Sequence, residues 1–472
     1  MNVRYIVVLI GGLATMWAFR RWRAAVQLAL VLLIFEGAIR KWVALGAQEL
    51  VYFAKDFLLL AAYAGFLADR RHLRGLAIPR MPVLYFTLAI AAVYGLLEIL
   101  NPQLPNLAVG LLGFKAYFWY VPLLFVLPGV FTSDRTLSRF IVIYVLLSIP
   151  VGLLAITQFF SSPTSALNTY ARATDDLSYA VTFGSSEFVR VTGTFSFING
   201  YAGYLVATVM LALAVLATTH WRLKGNLLIY LALGMSLLGM LMTGSRGPVL
   251  IVAFMFPLYW WLAVVREKQG GKTSVRLIVG LLLLATFVGL IGQDAFEAFR
   301  GRASASAEDV GLRIALPFTD PFRVLPEAGP LGYGIGATHQ AATAVTKGIP
   351  PFSWLNGHFI EVETGRVMLE LGPLGFFLVY FSRVLMALIA LRQAFRLRTL
   401  FHRSIAVAGF LLFLSTLPTG IVFDVTTSLL YWFFGGLVFT AIQLDRPQAR
   451  VAQPVTAAHP GLRTGRLAQA RP

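Results

Sequence analysis

Cysteine is absent from this 472-residue chain, and charged residues are scarce at 13%. Without cysteine the protein has no disulfide bonds, no thiolate metal ligands and no cysteine nucleophile. Ordinary soluble domains carry about 25% charged residues, so the low charge and the hydrophobic content of 58% argue against a soluble protein. The composition therefore predicts a chain that folds in a membrane.

Motifs for nucleotide binding and metal-assisted hydrolysis are also missing. The sequence contains no H-E-x-x-H pair, no P-loop and no G-x-S-x-G elbow, so it gives no support to a nucleotide-driven mechanism, a metal site or a bound cofactor. The net charge of +18 does not indicate nucleic-acid binding, because the basic residues lie in short clusters between apolar runs and in the last 28 residues. That distribution is typical of a membrane protein with a fixed orientation.

Long apolar runs recur along almost the whole chain, and a membrane-spanning helix needs about 20 mostly apolar residues. They predict an all-α, polytopic transmembrane helical bundle of about 12–13 spans that forms one domain over residues 1–444. The run at 107–128 contains Lys115, Pro122 and Pro128, so it can be a re-entrant segment instead of a span. The thirteen runs are 3–19, 24–39, 49–68, 82–100, 107–128, 138–160, 196–219, 225–243, 247–265, 275–292, 366–391, 404–423 and 426–444.

Lysine and arginine fall mainly in alternate loops, which predicts an orientation because positive residues are retained in the cytoplasm. The N-terminus is then outside and the C-terminus is cytoplasmic. Two of the outer segments, 161–195 and 293–365, are too long for simple connections and are expected to be functional loops. The tail 445–472 is basic and poor in large apolar residues, and it is predicted to be disordered. The basic loops are 20–23, 69–74, 133–139, 220–224, 266–276 and 392–403.

Ionisable residues at membrane depth are costly and mark candidate functional sites. Glu36 and Arg40 end the second run at i,i+4 spacing, and Lys55 and Asp56 interrupt the third. Mutual neutralisation between the two neighbouring helices is the simplest interpretation of these four residues. Lys115 has two interpretations that the sequence leaves open: its side chain snorkels to the interface, or it binds an anionic headgroup.

The segment Thr243-Gly-Ser-Arg-Gly-Pro248 lies at an outward junction between two runs. Ser245 is a candidate N-cap for the helix that follows, and Pro248 suits a first helical turn. An arginine at a helix N-terminus adds positive charge to the positive end of the dipole. The position of Arg246 therefore favours the binding of an anion over a side chain that snorkels to the interface.

Only two of the six histidines, His339 and His358, fall on the predicted outer side. The stretch Asn356-Gly-His-Phe-Ile-Glu361-Val-Glu363-Thr-Gly-Arg366 concentrates a histidine, two carboxylates and an arginine just before an apolar run. A solvated loop rim can have this composition. The functional alternative is a general base together with an arginine that clamps phosphate oxygens.

Glycines alternate in Gly329-Pro-Leu-Gly-Tyr-Gly-Ile-Gly336, a pattern that can suggest a phosphate-binding loop. A phosphate-binding loop joins a strand to a helix, and no such frame surrounds this segment. A tight turn at the membrane surface is the favoured interpretation.

Three elements in order along the chain resemble the O-antigen ligase and O-antigen polymerase superfamily of bacterial envelope glycosyltransferases. They are Gly193-Thr-Phe-Ser-Phe-Ile-Asn-Gly-Tyr-Ala202, Thr243-Gly-Ser-Arg-Gly247, and Glu370-Leu-Gly372-Pro-Leu-Gly375 after a long outer loop. The motif-bearing part covers roughly residues 190–380. The resemblance implies a GT-C-like fold in a bacterial inner membrane.

The resemblance also implies a chemistry in which a sugar is transferred from undecaprenyl diphosphate without metal or nucleotide. Arg246 and Arg366 would then bind the diphosphate. The family's outer-loop histidine precedes the Glu-x-Gly-x-x-Gly element by about nine residues, whereas His358 precedes Glu370 by twelve and Glu361 occupies the nine-residue offset. The base is therefore His358 or Glu361. Substrate-binding roles are expected for Arg190, His339 and Glu363.

The sequence leaves several functions open. A polymerase would extend lipid-linked repeat units into an exopolysaccharide or O-antigen, with a flippase and a chain-length regulator of the same pathway as possible partners. A ligase would instead transfer the glycan to the lipid A core. A transporter of lipid-linked glycans would be expected to contain inverted repeats, and no convincing repeat is found. A non-catalytic assembly subunit that keeps the fold is the remaining alternative.

Overall fold

The structure is a computed structural model, and it describes most of the chain. His358, Glu361, nearly all of the predicted span 275–292 and residues 447–472 lie outside the described residues. The described residues are 3–69, 78–171, 180–183, 187–217, 223–265, 289, 292–304, 308–340, 342 and 362–446.

Sixteen α-helices account for most of the described residues, which contain no β-strand beyond one isolated bridge between Thr182 and Val189. The prediction of an all-α fold is thus confirmed. The helices are α1 Val3–Arg20, α2 Trp22–Ala38, α3 Gln48–Ala68, α4 Pro82–Glu98, α5 Leu107–Phe118, α6 Leu123–Val130, α7 Asp134–Leu146, α8 Ser148–Phe160, α9 Ile198–Leu216, α10 Leu223–Met242, α11 Arg246–Tyr259, α12 Gln293–Ser304, α13 Glu308–Ala328, α14 Glu363–Arg396, α15 Leu400–Thr419 and α16 Val425–Leu444.

Eight helical segments of the described chain are long and apolar enough to cross a membrane, with α7 and α8 forming one of them, so the protein is a multi-pass membrane protein. The helices α5 and α6 form a further, broken segment with a bend of 47°. This break coincides with the interruption anticipated around Lys115 and Pro122. The predicted total of twelve to thirteen is not reached among the described residues, partly because α4 and the apolar part of α10 are shorter than a full span.

The core of the bundle is formed by α9 and α16, whose side chains are apolar on every side. About four fifths of the residues in the apolar, membrane-spanning stretch of each helix are buried, 83% for α9 and 78% for α16. A helix that is hydrophobic all round is stable only in a core or in lipid. By contrast α4 exposes Phe86 and Leu97 on its outer surface, which is the pattern of a helix that faces lipid.

Side-chain contacts sort the helix ends into two groups. At one end, Trp22 donates to Asp69 (3.4 Å), and His402 lies 2.8 Å from Asp134 and 3.0 Å from Asp445. These residues belong to, or adjoin, the loops predicted to be basic and cytoplasmic. The opposite end, where α2, α8, α10 and α15 finish and α3, α9, α11, α14 and α16 begin, is called the site end below.

The helix α14 is broken within the third of its length nearest its N-terminus, and this break positions the neighbouring segments of the site end. Gly372 has a φ of 61°, and Pro373 has no N–H to continue the helical ladder. The carbonyls freed by the break find other donors: Leu369 accepts from Tyr333 N (2.8 Å) and Glu370 from Gly334 N (3.0 Å). Since unpaired backbone groups are costly inside a membrane protein, the segment 329–336 is bound to the break by these hydrogen bonds.

The glycine-rich segment is a chain of tight turns, as predicted, and not a phosphate loop. Gly332, Gly334 and Gly336 have φ values of 78°, 94° and 89°, a region that side chains with a Cβ disfavour. Gly336 also packs against the backbone of Gly113 in α5, where an added Cβ would lie 2.4 Å from Gly336 Cα. The turns thereby bring the residues that follow them, Thr338 and His339, between α5 and α14.

Two helices lie within the predicted outer loop 293–365. Of these, α13 packs Val324 and Ala328 against Met368 and Leu369 at the start of α14. Its other face exposes an apolar stripe at i,i+4 spacing, formed by Ile314, Phe318 and Phe322. A helix with such an exposed apolar face is typical of helices that lie along a membrane surface.

We predict that Gly336→Ala destabilises the protein, because the methyl group would meet Val109 O at 2.5 Å in a left-handed backbone conformation. Together these effects cost about 2–4 kcal/mol. The apparent melting temperature of the purified protein in detergent measures the loss. Gly12→Ala is the control, since Gly12 is helical with no neighbour within 4 Å of the added carbon. Equal melting temperatures for the two variants would contradict the proposed packing of the glycine turns.

Candidate functional site

Five charged side chains form a buried ladder across α2 and the turn that follows it, α3 and α5. Lys55 Nζ lies 2.6 Å from Glu36, and Lys115 Nζ lies 2.7 Å from Asp56. Arg40 is 3.8 Å from Glu36. The predicted neutralisation between α2 and α3 is confirmed, and the structure extends it to Lys115 on α5. Three cations against two carboxylates leave one positive charge in excess.

The ring of Tyr52 lies at the centre of these cations. Lys55 Nζ, Lys115 Nζ and the Arg40 guanidinium carbon are 4.6, 4.7 and 5.2 Å from its centroid. The electron-rich face of an aromatic ring attracts cations within about 6 Å. Tyr52 therefore helps to hold three positive charges close together, with Phe53 4.7 Å from Lys115 Nζ as a second aromatic neighbour.

A small pocket opens beside this ladder at the site end. Its walls are mostly apolar, and Lys115 and His339 are the basic side chains that reach it. The remaining lining residues come from α3, α5, the segment before α6, the α15–α16 connection and α16. They are Tyr52, Phe53, Leu112, Ala116, Tyr120, Val422, Val425 and Ser428.

Arg366, in the first turn of α14, is held beside the pocket by neutral acceptors. Its Nε donates to Thr338 Oγ1 (3.0 Å), and its Nη2 donates to the Thr338 carbonyl. The guanidinium carbon lies 3.4 Å from the centroid of the Phe423 ring. The side chain is nearly buried, at 8% exposed for the residue.

Glu370, one helical turn after Arg366, is fully buried and does not pair with it directly. Its Oε1 accepts from Thr338 N (2.8 Å) and Thr338 Oγ1 (2.6 Å), and its Oε2 accepts from Tyr117 Oη (2.8 Å). These three bonds link α14, α5 and the segment after the glycine turns. The first residue of the Glu-x-Gly-x-x-Gly element thus anchors the site.

His339 lines the pocket together with Lys115, and it is close enough to Lys115 and Arg366 to be affected by both charges. Its burial, reinforced by the positive charges of Lys115 and Arg366, lowers its pKa to about 4. The imidazole is therefore neutral at physiological pH and can donate one hydrogen bond and accept another.

The described contacts of Glu363 hold parts of the fold together. It pairs with Arg383 (2.8 Å), and its Oε2 accepts from Val422 N (2.5 Å) and Phe423 N (3.4 Å). These contacts fix the α15–α16 connection that carries Val422 and Phe423 to the pocket. A role in substrate binding stays a prediction for this residue.

Arg190, for which a substrate-binding role is predicted, lies at the Thr243–Gly247 segment. Its Nε donates to Thr243 O (2.9 Å) and its Nη2 to Ser245 Oγ (3.2 Å). Ser245 occupies the N-cap position of α11, as predicted, but its side chain makes no capping bond. Arg246 is the first residue of that helix and is half-buried.

Residues 189–196 connect the Arg190 group to the ladder. Lys41 Nζ donates to Thr192 Oγ1 (3.0 Å) and Gly193 O (2.8 Å), and Arg40 donates to Ser196 Oγ (3.0 Å). Arg40 in turn contacts the Tyr52 ring, which contacts Lys115. A continuous series of contacts therefore links the two groups of basic residues at the site end.

Of the predicted site residues, His339 lines the pocket, while Arg366 and Glu363 contact residues at or next to its wall. Arg190 contacts the segment that contains Arg246. The two proposed bases, His358 and Glu361, lie outside the described residues. Sequence reasoning missed Thr338, which nothing in its context distinguishes. It left Lys115 open between snorkelling and binding an anionic headgroup, and the structure places this lysine in an ion pair with Asp56 on the pocket wall.

These features define a class: a multi-pass helical membrane protein with a mostly apolar pocket at one end that Lys115 and His339 line. No protein-family model matches the chain, and a comparison with curated proteins finds no match.

We predict that acidification destabilises the protein through His339. Its pKa is about 4 in the folded protein and about 6.5 in an unfolded chain. Between these values the unfolded state binds a proton that the folded state does not, so this contribution to stability is complete above pH 6.5 and is lost as the pH falls toward 4. Melting temperatures measured over this range should fall more steeply for the wild type than for His339→Gln. Parallel curves would contradict the burial of a neutral imidazole.

We predict that Glu363 and Arg383 stabilise the fold as a pair. Glu363→Gln or Arg383→Met alone leaves a buried charge without its partner, which costs about 3–5 kcal/mol. The double variant should lose less than the sum of the two, and a double-mutant cycle of unfolding free energies measures the coupling. Arg396→Met, at the exposed end of the same helix, is the control and should change stability by less than about 0.5 kcal/mol. Additive losses would show that the pair is not coupled.

Proposed function

We propose that this protein is a membrane glycosyltransferase that polymerises undecaprenyl-diphosphate-linked repeat units on the outer face of a bacterial inner membrane. In this orientation the site end and the N-terminus are periplasmic and the C-terminus is cytoplasmic. The observation that carries the proposal is the mostly apolar pocket that Lys115 lines, with Arg366 held beside it by Thr338. One cation on apolar walls, with a second cation beside them, suits a ligand whose diphosphate is joined to an isoprenoid chain.

The charges of the pocket support the departure of a diphosphate. In the proposed reaction, the oxygen of an acceptor hydroxyl bonds to the anomeric carbon of the donor sugar. The bond from that carbon to the diphosphate oxygen breaks, and both electrons stay with the diphosphate. Lys115 and Arg366 stabilise the negative charge that develops on this leaving group in a site of low dielectric constant. Arg246, with Arg190 beside it, is a further positive group for a phosphate.

The acceptor hydroxyl must lose its proton to a base. His358 and Glu361 remain the two candidates, since both precede α14 by a few residues and Arg366 lies in its first turn. His339 is neutral at physiological pH and can hydrogen-bond a sugar hydroxyl or a phosphate oxygen without adding charge. In this scheme it orients the substrate.

Cells that depend on this protein for polysaccharide synthesis provide the test. We expect Arg366→Ala and Lys115→Met each to reduce polymer formation by about 10²-fold, the effect of removing one group that stabilises developing charge. Single lipid-linked repeat units should accumulate on the outer leaflet. Arg396→Ala removes a positive charge from the other end of the same helix and should leave the polymer unchanged. Protein level in the membrane is measured for every variant.

The same assay separates the alternatives. Loss of glycan on the lipid A core, with normal polymer still attached to lipid, would identify a ligase. Repeat units trapped on the inner leaflet would identify a transporter. Unchanged polymer in Arg366→Ala, Lys115→Met and Arg246→Ala would overturn the catalytic proposal in favour of an assembly subunit.

A further inference from the structure

The buried cations of this protein differ in how their charge is balanced. Lys55 has Glu36 at 2.6 Å, Lys115 has Asp56 at 2.7 Å, and Arg383 has Glu363 at 2.8 Å. Within the described part of the chain, no carboxylate lies within ion-pair distance of Arg366. Lys41 likewise has no carboxylate within ion-pair distance among the described residues, and Thr192 Oγ1 and Gly193 O accept from its Nζ. Removing a charge from water without an opposite charge is costly, so these two cations require an explanation, and Arg366 is the one held beside the pocket.

A suitable carboxylate is present nearby in sequence. Glu370 follows Arg366 at i,i+4 spacing on the same helix, where opposite charges commonly pair. The hydroxyl of Thr338 lies between them: it donates to Glu370 Oε1 at 2.6 Å and accepts from Arg366 Nε at 3.0 Å. Tyr117 and the Thr338 N–H complete the hydrogen bonding of Glu370. The carboxylate is thus fully used by neutral donors.

We propose that Thr338 is a positioning residue that keeps Arg366 out of an ion pair with Glu370, so that its guanidinium serves a diphosphate in the adjoining pocket. This inference rests on the function proposed above and specifies how the cation of that site is held. Thr338 fixes two of the three guanidinium nitrogens. The third, Nη1, has no hydrogen-bond partner among the described residues.

The charge of the ligand follows from Arg366, which has no carboxylate partner among the described residues, and from the ladder, whose three cations face two carboxylates and which reaches the pocket through Lys115. A diphosphate carries enough charge to balance both excess positive charges, whereas a single carboxylate does not. Either a free pyrophosphate or a lipid-linked diphosphate offers this chemistry. The apolar walls formed by Phe53, Leu112 and Val425 favour the lipid-linked form.

The test is the binding of farnesyl diphosphate to the purified full-length protein in detergent, with inorganic pyrophosphate and farnesol as comparison ligands. Thr338→Val keeps the shape of the side chain and removes the hydroxyl, so Arg366 and Glu370 can pair directly. We expect the affinity for farnesyl diphosphate to fall about tenfold or more. Thr338→Ser restores the hydroxyl and should bind like the wild type. Tighter binding of farnesyl diphosphate than of pyrophosphate would identify the lipid-linked form.

Thr440→Val is the matched control for loss of a buried threonine hydroxyl. Thr440 is fully buried in α16, and its hydroxyl donates to Gly436 O (2.7 Å). Its substitution should lower the melting temperature without lowering the affinity. If Thr338→Val binds as tightly as Thr440→Val, Thr338 is only structural and the inference is wrong, while the proposed function stands. If the wild type binds neither diphosphate, the proposed diphosphate pocket fails as well.

Discussion

The break in α14 is the constraint on which the site end depends. A membrane protein cannot leave backbone carbonyls unpaired in its interior, and the change of direction at Gly372 and Pro373 releases several of them. The glycine turns 329–336 supply the missing N–H donors and pack against α5 through Gly336 and Gly113. The segment approaches α5 and α14 at its glycines, where a side chain would collide with the neighbouring backbone. Its path is therefore fixed. The positions of Thr338 and His339 beside the pocket are a consequence of that path.

The charges of the site end follow a second constraint, the cost of removing ions from water. Most buried cations are neutralised by a carboxylate on a neighbouring helix, and these pairs also join α2, α3 and α5 where the helices would otherwise meet only through apolar contacts. Buried pairs of this kind contribute little net stability, but the loss of one partner is expensive. The arrangement therefore makes the geometry specific. Among the described residues, Lys41 and Arg366 are held by neutral partners instead, and Arg366, held by Thr338 and the Phe423 ring, lies beside the pocket, where an anionic ligand can replace those partners.

The motif residues take different parts in this arrangement. Glu370 and Gly372, which the resemblance to the envelope glycosyltransferases singles out, are buried and support the fold, while Arg366 beside them faces the pocket region. Arg190 and Arg246 lie in a separate group at the start of α11, connected to the ladder through residues 189–196. A motif in such a protein therefore includes residues that support a site as well as residues that take part in the reaction.

The sequence by itself determined the class of the protein, because hydrophobic length and the scarcity of charge depend only on local composition. It also determined most helix positions, the interruption near Lys115, the pairing of Glu36 with α3, and the turn at 329–336, since each rests on residues close together in the chain. Only the tertiary structure decided that Lys115 reaches Asp56 and the pocket, that Thr338 stands between Arg366 and Glu370, and that Glu363 is paired with Arg383. The first two contacts join separate segments of the chain, and the third joins two parts of α14 on either side of its break. Which side chains meet there depends on how the helices pack and where α14 breaks, and no local pattern in the chain encodes that geometry.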